Sequence, residues 1–142
     1  MTTKPDVNIL IVDDDPDLAA SLRLYLELRG HDAEAVTAPE AALARLEADR
    51  YDIVLSDLMM PGMDGVELLH RIKQRQADAI VVMITASDNL AKVVAARLEG
   101  AADYLLKPLA NMTDLDAVID RAVQQVRRWD GILDRVRRSK VS

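Results

Sequence analysis

The 142-residue chain contains no cysteine. Disulfides, thiol nucleophiles, zinc–thiolate sites and iron–sulfur clusters are excluded on that ground, although the redox compartment is not fixed by it. Long apolar runs are missing too. Nothing approaches the ~18 residues of a membrane helix, and the opening Met1–Asp6 lacks the apolar stretch of a signal peptide, so a soluble, cytoplasmic protein is expected. An excess of positive charge is also absent: 18 Lys and Arg stand against 24 Asp and Glu, a formal charge of −6. That balance argues against a nucleic-acid surface spread over the whole domain. No internal repeat or low-complexity tract breaks the pattern.

What is present suits one ordinary globular domain, with 50% hydrophobic and 30% charged residues. A chain of this size buries about two thirds of its unfolded surface and needs no covalent staple. The charge is unevenly placed, however. Val126–Ser142 carries six cations and two anions, a net +4, which leaves −10 for the rest. The simplest reading of that tail is a solvated helix face, ahead of a nucleic-acid or membrane patch.

Short Val- and Ile-rich runs alternate with segments whose apolar residues recur every three or four positions. The runs are Asn8–Val12, Ala33–Val36, Asp52–Ser56, Ala79–Thr85 and Asp103–Leu106. Helices are expected over Asp17–Arg29, Pro39–Ala48, Gly65–Gln74, Leu90–Leu98 and from about Asn111 onward. Ile9–Val12 and Ile80–Ile84 are apolar without alternation, as strands covered on both faces should be. The fold class is therefore α/β, a doubly wound parallel sheet of five strands with helices on either side. In such sheets functional groups gather outside the carboxyl ends of the strands.

Those ends are polar. The first strand runs into Asp13-Asp14-Asp15, the third into Asp57, the fourth ends at Thr85, and the fifth is followed by Lys107-Pro108. If the strands are neighbours, three carboxylates, a hydroxyl and an ammonium converge. Two carboxylates ~4 Å apart repel by about 4 kcal/mol at an effective dielectric near 20, so the cluster invites a hard divalent cation such as magnesium, or manganese in its place. With charge balanced, a carboxylate can attack phosphorus while cation, lysine and hydroxyl hold the transferring oxygens.

The set Ile9–Pro16, Asp57–Gly65, Thr85-Ala86 and Lys107-Pro108 resembles the signature of the response-regulator receiver family over about residues 6 to 126. The resemblance implies a flavodoxin-like sheet of order 2-1-3-4-5 with an extended C-terminal helix. It implies a receiver domain over 1–126, with 127–142 a helical extension or linker. Position by position, Asp57 matches the phosphoacceptor and Asp14 the direct magnesium ligand. Asp13 matches a more distant acidic neighbour, and Met59 the position whose backbone carbonyl completes the protein ligands. Asp15, before Pro16, suits a helix cap better than a ligand. Lys107 matches the phosphoryl-pairing lysine, whose bond to the following proline is usually cis in the family. Thr85 and Tyr104 match the switch pair, and the surface expected to change is the fourth helix, fifth strand and fifth helix. A sensor histidine kinase or phosphotransfer protein is the implied donor; turnover catalysis is not implied.

Two other readings stand beside this one. Asp13-x-Asp15 is also similar to haloacid-dehalogenase-type phosphatases, with Asp13 as nucleophile and Asp15 as acid, although Pro16 departs from that pattern. A degenerate receiver acting as a phosphorylation-independent binding module is the other. Met60 and Met63 read as loop and packing residues; His31 and His70 lie away from the strand ends.

At the C-terminus, Leu115, Ile119, Ala122, Val126, Trp129, Leu133 and Val136 form a heptad seam. Its first half must serve the core; its second has no core of its own to cover. It is expected to pair with a second copy, to lead into an output domain, or to be a linker. The run from Leu105 to Leu115 before a long helix is similar to regulators whose receiver joins a phosphatase-like effector controlling a stress sigma factor.

Overall fold

A computed structural model describes residues 7–86, 89–109 and 111–141. Met1–Asp6, considered above for a targeting segment, lies outside the described residues. The strands are β1 Asn8–Val12, β2 Asp32–Val36, β3 Ile53–Ser56, β4 Met59–Met60, β5 Met63–Asp64, β6 Ile80–Thr85 and β7 Asp103–Leu106. The helices are α1 Pro16–Leu28, α2 Pro39–Ala48, α3 Gly65–Arg75, α4 Leu90–Leu98 and α5 Thr113–Val141.

Five strands form one parallel sheet of order β2-β1-β3-β6-β7, which is the expected 2-1-3-4-5 once the short β4–β5 pair is set apart. The continuous apolar runs split between two cores because successive strand side chains point to opposite faces. Ile9 and Ile11 face α1 and α5 with Leu22, Leu26, Leu115 and Ile119. Leu10 and Val12 face the other way, with Leu43, Leu46, Leu68 and Ile72 of α2 and α3. Each fully buried side chain of this kind stabilises the fold by about 1.5–3 kcal/mol.

Helix boundaries follow local chemistry. Asp15 caps α1, its carboxylate accepting from the Asp17 and Leu18 amides at 3.0 and 3.3 Å, with Pro16 at the first helical position. Asp64 and Asn89 do the same for α3 and α4. Gly30 and Gly100 end the preceding helices with φ of +97° and +108°.

The antiparallel β4–β5 ribbon was not anticipated. It is only two residues a side, with Met59 opposite Asp64 and Met60 opposite Met63. So short a ribbon has no room for an alternating pattern. The seam on α5 divides as expected: Leu115, Ile119 and Ala122 are buried, while Trp129, Leu133 and Val136 are 56%, 46% and 49% exposed. The helix runs unbroken from one half to the other. Among the described residues no helix is long and apolar enough to cross a membrane.

Candidate functional site

Three of the four sheet ladders continue one hydrogen bond beyond their strands and so fix the residues that follow. The Asp57 amide donates to the Val12 carbonyl at 2.9 Å, and the Asp13 amide to that of Val36 at 3.2 Å. The Lys107 amide donates to the Thr85 carbonyl at 2.9 Å. The register places Val12 beside Ser56, Ser56 beside Met83 and Thr85 beside Leu106, so β1, β3 and β7 deliver their next residues, and β6 its last, to one end of the sheet.

There the Lys107 ammonium lies 2.7 Å from Asp13 Oδ2 and 2.9 Å from Asp57 Oδ2. The remaining carboxylate oxygens are held by backbone: Asp13 Oδ1 accepts from the Asp15 amide and Asp57 Oδ1 from the Met59 amide, both at 2.9 Å. Asp13 and Asp57 are 2% and 4% exposed, whereas Asp14 is open to solvent. Burial pulls the Lys107 ammonium down, but its bonds to the Asp13 and Asp57 carboxylates outweigh that, and its pKa is raised.

Asp13, Asp14 and Asp57 offer carboxylate oxygens within 4.8 Å of one another. Three carboxylates against one ammonium leave two negative charges uncompensated, and all the donors are hard oxygens. That set fits a small divalent cation with open water positions.

Of the other expected site residues, Thr85 is fully buried at the end of β6. Tyr104 is half-buried, packed among the core side chains on the α2–α4 face of the sheet. Its hydroxyl is buried with no hydrogen-bond partner among the described residues. Burial first, and then the negative charge of Asp57, push its phenol pKa up. Met59 is half-exposed beside the cluster. The Lys107–Pro108 peptide is cis.

Asp15 does not join the cluster, because its carboxylate is committed to the α1 cap. A phosphatase-like use of Asp15 as an acid would have to break that cap. The two histidines stay outside: His70 Nδ1 lies 3.0 Å from Glu99 Oε2, between α3 and α4.

One residue was missed. A Cβ on Gly65 would stand 2.5 Å from both Leu58 Cα and Leu58 O, so the α3 N-terminus can press against the backbone that carries Asp57 only without a side chain there. Its position at the end of Asp57–Gly65 was visible, but a close approach leaves no periodic signal.

Comparison with known proteins agrees with this geometry. The sequence model of the response regulator receiver domain matches residues 9–120. The response regulator protein FleR of Pseudomonas aeruginosa is 41% identical over 118 residues, which are 83% of this chain and 25% of FleR. The chain thus spans about a quarter of that relative's length. Among solved structures, a receiver domain protein from Methanospirillum hungatei superposes with a TM-score of 0.83 at 29% identity, covering 87% of this chain and 98% of its own. The response regulator TrrA of Thermotoga maritima, in complex with Mg²⁺ and BeF, gives 0.73 at 27% identity, over 82% of this chain and 98% of TrrA.

Proposed function

Since the chain belongs to the response-regulator receiver family, we propose that Asp57 is its phosphoacceptor, taking a phosphoryl group from a phosphohistidine on a sensor histidine kinase or phosphotransfer protein. The observation that carries this is the buried Asp57 carboxylate clamped by Lys107 at 2.9 Å beside a second buried carboxylate, Asp13. Asp57 Oδ2, released by Lys107 as that ammonium turns to the incoming phosphoryl oxygens, forms the new O–P bond as the P–N bond of the donor breaks, and the leaving imidazole takes a proton from solvent. The Met59 amide holds the other oxygen and so orients the nucleophile. Lys107 shifts its charge from the carboxylates to the phosphoryl oxygens, and the Thr85 hydroxyl follows them.

Asp14, Asp57 and the Met59 carbonyl would hold magnesium, with Asp13 beside them. When bound, the cation neutralises the acidic cluster and the developing charge on the equatorial oxygens.

The Asp57 charge already bears on the Tyr104 phenol, so added phosphoryl charge and movement of Thr85 act on that ring. The surface behind it is apolar. Leu90, Val94 and Leu98 form a stripe along α4 at 75%, 45% and 82% exposure, and Leu106 of β7 is 58% exposed. This α4–β7–α5 face is the surface through which an output domain or partner reads the switch.

Intact-mass measurement after incubation with acetyl phosphate and Mg²⁺ tests the assignment. One phosphoryl addition is expected, lost in Asp57→Asn and on chelation of the metal. Addition that persists in Asp57→Asn and disappears only in Asp13→Asn would replace it with the phosphatase-like chemistry. No addition at all would leave a degenerate receiver working as a binding module.

A further inference from the structure

Past Val126, α5 leaves the domain core and carries three exposed apolar residues, Trp129, Leu133 and Val136, beside the partly buried Ile132 on a helix rich in charge. Their spacing keeps the heptad of the buried seam, so the face has the period of a helix-packing surface. The extension also overhangs the end of the domain opposite the acidic cluster. Between them lies a groove of about 480 Å³, walled by Val126, Trp129 and Leu133 on one side and rimmed by Asp52 and Asp78 on the other. Asp130 also lines it, and its two cations are already engaged, Arg50 by Asp78 and Lys73 by the Ala79 carbonyl at 2.7 Å.

Charge says what belongs in that groove. The extension is +4 and the rest of the chain −10. An unbroken helix cannot fold its own cationic tip, Arg137 and Lys140, back beneath its own domain. A second copy can supply one.

We propose that this face is a self-association surface, in which the α5 extensions of two copies pair antiparallel and each tip enters the other's groove. About a two-fold axis level with Gly131, Val126 meets the second copy's Val136 and Trp129 its Leu133. The pattern is self-complementary, as an isologous contact must be. Antiparallel pairing sets each cationic tip against the other acidic body and opposes the two helix dipoles side by side, the favourable arrangement. Parallel pairing would place two +4 tips side by side. This surface is distinct from the α4–β7–α5 face, and the pairing does not depend on phosphorylation.

The chain has a single tryptophan, at the centre of the seam. Sedimentation velocity and Trp129 emission, followed together over a concentration series of the full chain, test the proposal. A dimer should grow in with concentration as the emission moves to the blue. Leu133→Glu, an exposed position that leaves the core untouched, should weaken it by at least about tenfold. The double variant Arg137→Glu/Lys140→Glu decides the orientation. It weakens an antiparallel pair by removing the tip-to-body attraction, and would tighten a parallel one by relieving tip-to-tip repulsion. Circular dichroism confirms that each variant keeps its helix. A chain that stays monomeric at the highest attainable concentration, a dimer indifferent to Leu133→Glu, or one tightened by the double variant overturns the proposal. So does emission that ignores protein concentration but shifts on adding a DNA duplex or phosphatidylglycerol vesicles, which would make the tail a polyanion site.

Discussion

Two glycines should respond in opposite directions to the same added methyl group. At Gly65 a Cβ would meet Leu58 Cα and O at 2.5 Å and Leu58 C at 2.7 Å. Ordinary carbon contacts begin near ~3.5 Å, so the α3 N-terminus and the backbone after β3 must part by about 1 Å. Those are main-chain atoms and cannot rotate aside. Overpacking of this kind costs about 1–3 kcal/mol, which for a domain of this size lowers the thermal midpoint by about 3–10 °C. At Gly131 a Cβ meets nothing within 4 Å, and the residue lies within α5. Alanine there gains about 1 kcal/mol of helix stability. Because Gly131 lies beyond the core, the gain should appear as about fivefold slower amide exchange in the extension, with the global midpoint unmoved. Thermal unfolding by circular dichroism and hydrogen exchange read the two effects separately. A folded Gly65→Ala variant with an undiminished midpoint would refute the close-approach argument. A Gly131→Ala variant with faster exchange would refute the account of the extension.

Lys107→Met leaves Asp13 and Asp57 buried without their shared cation. A loss of about 2–3 kcal/mol is expected, below that of a fully buried pair since the Lys107 side chain is 20% exposed. Added Mg²⁺ should recover more stability in that variant than in the wild type; calorimetry with and without metal checks both. Tyr104→Phe removes a buried hydroxyl that has no partner among the described residues, so urea unfolding should show no loss and a gain of up to about 1 kcal/mol. The phenols of Tyr25, Tyr51 and Tyr104 are all raised above the usual 10.0, the first by its bond to Asp116 and the others by burial. Above that pH the unfolded chain loses its phenolic protons first, the native state binds more, and stability falls as pH rises. Tyrosinate absorbance in an alkaline titration should therefore rise above 10.0 and together with unfolding; a phenol ionising below that in the folded protein contradicts the assignment.

How much of this was legible in the sequence depended on whether a feature repeats. Strands covered on both faces announce themselves as unbroken apolar runs, and Ile9–Val12 and Ile80–Ile84 could be little else. The cluster was legible because a parallel sheet brings successive strand ends together, so Asp13, Asp57 and Lys107 needed only their place after a strand. What stayed hidden depends on single contacts across the fold. The buried Gln76 amide donates to the Leu46 and Asp49 carbonyls and its oxygen accepts from the Tyr51 amide, tying α2 to the start of β3. Glu34 accepts from both Arg45 and Tyr51, an arrangement joining β2, α2 and the segment before β3. Neither has a local pattern. Lys107 was expected to meet a phosphoryl group; that it also bridges the Asp13 and Asp57 carboxylates is seen only in the folded chain.

The unbroken course of α5 also has a mechanical side. Its base is gripped by the core through Leu115, Ile119 and Ala122, and from Val126 to Val141 it projects with no joint. At 1.5 Å per residue the projecting part is about 22 Å long, so a tilt of about 10° at the base carries the tip through about 4 Å. A shift among the packed side chains too small to open a gap would become, at the far end, a displacement of about three quarters of a helical turn. Geometry alone makes the extension an amplifier of any tilt at its base.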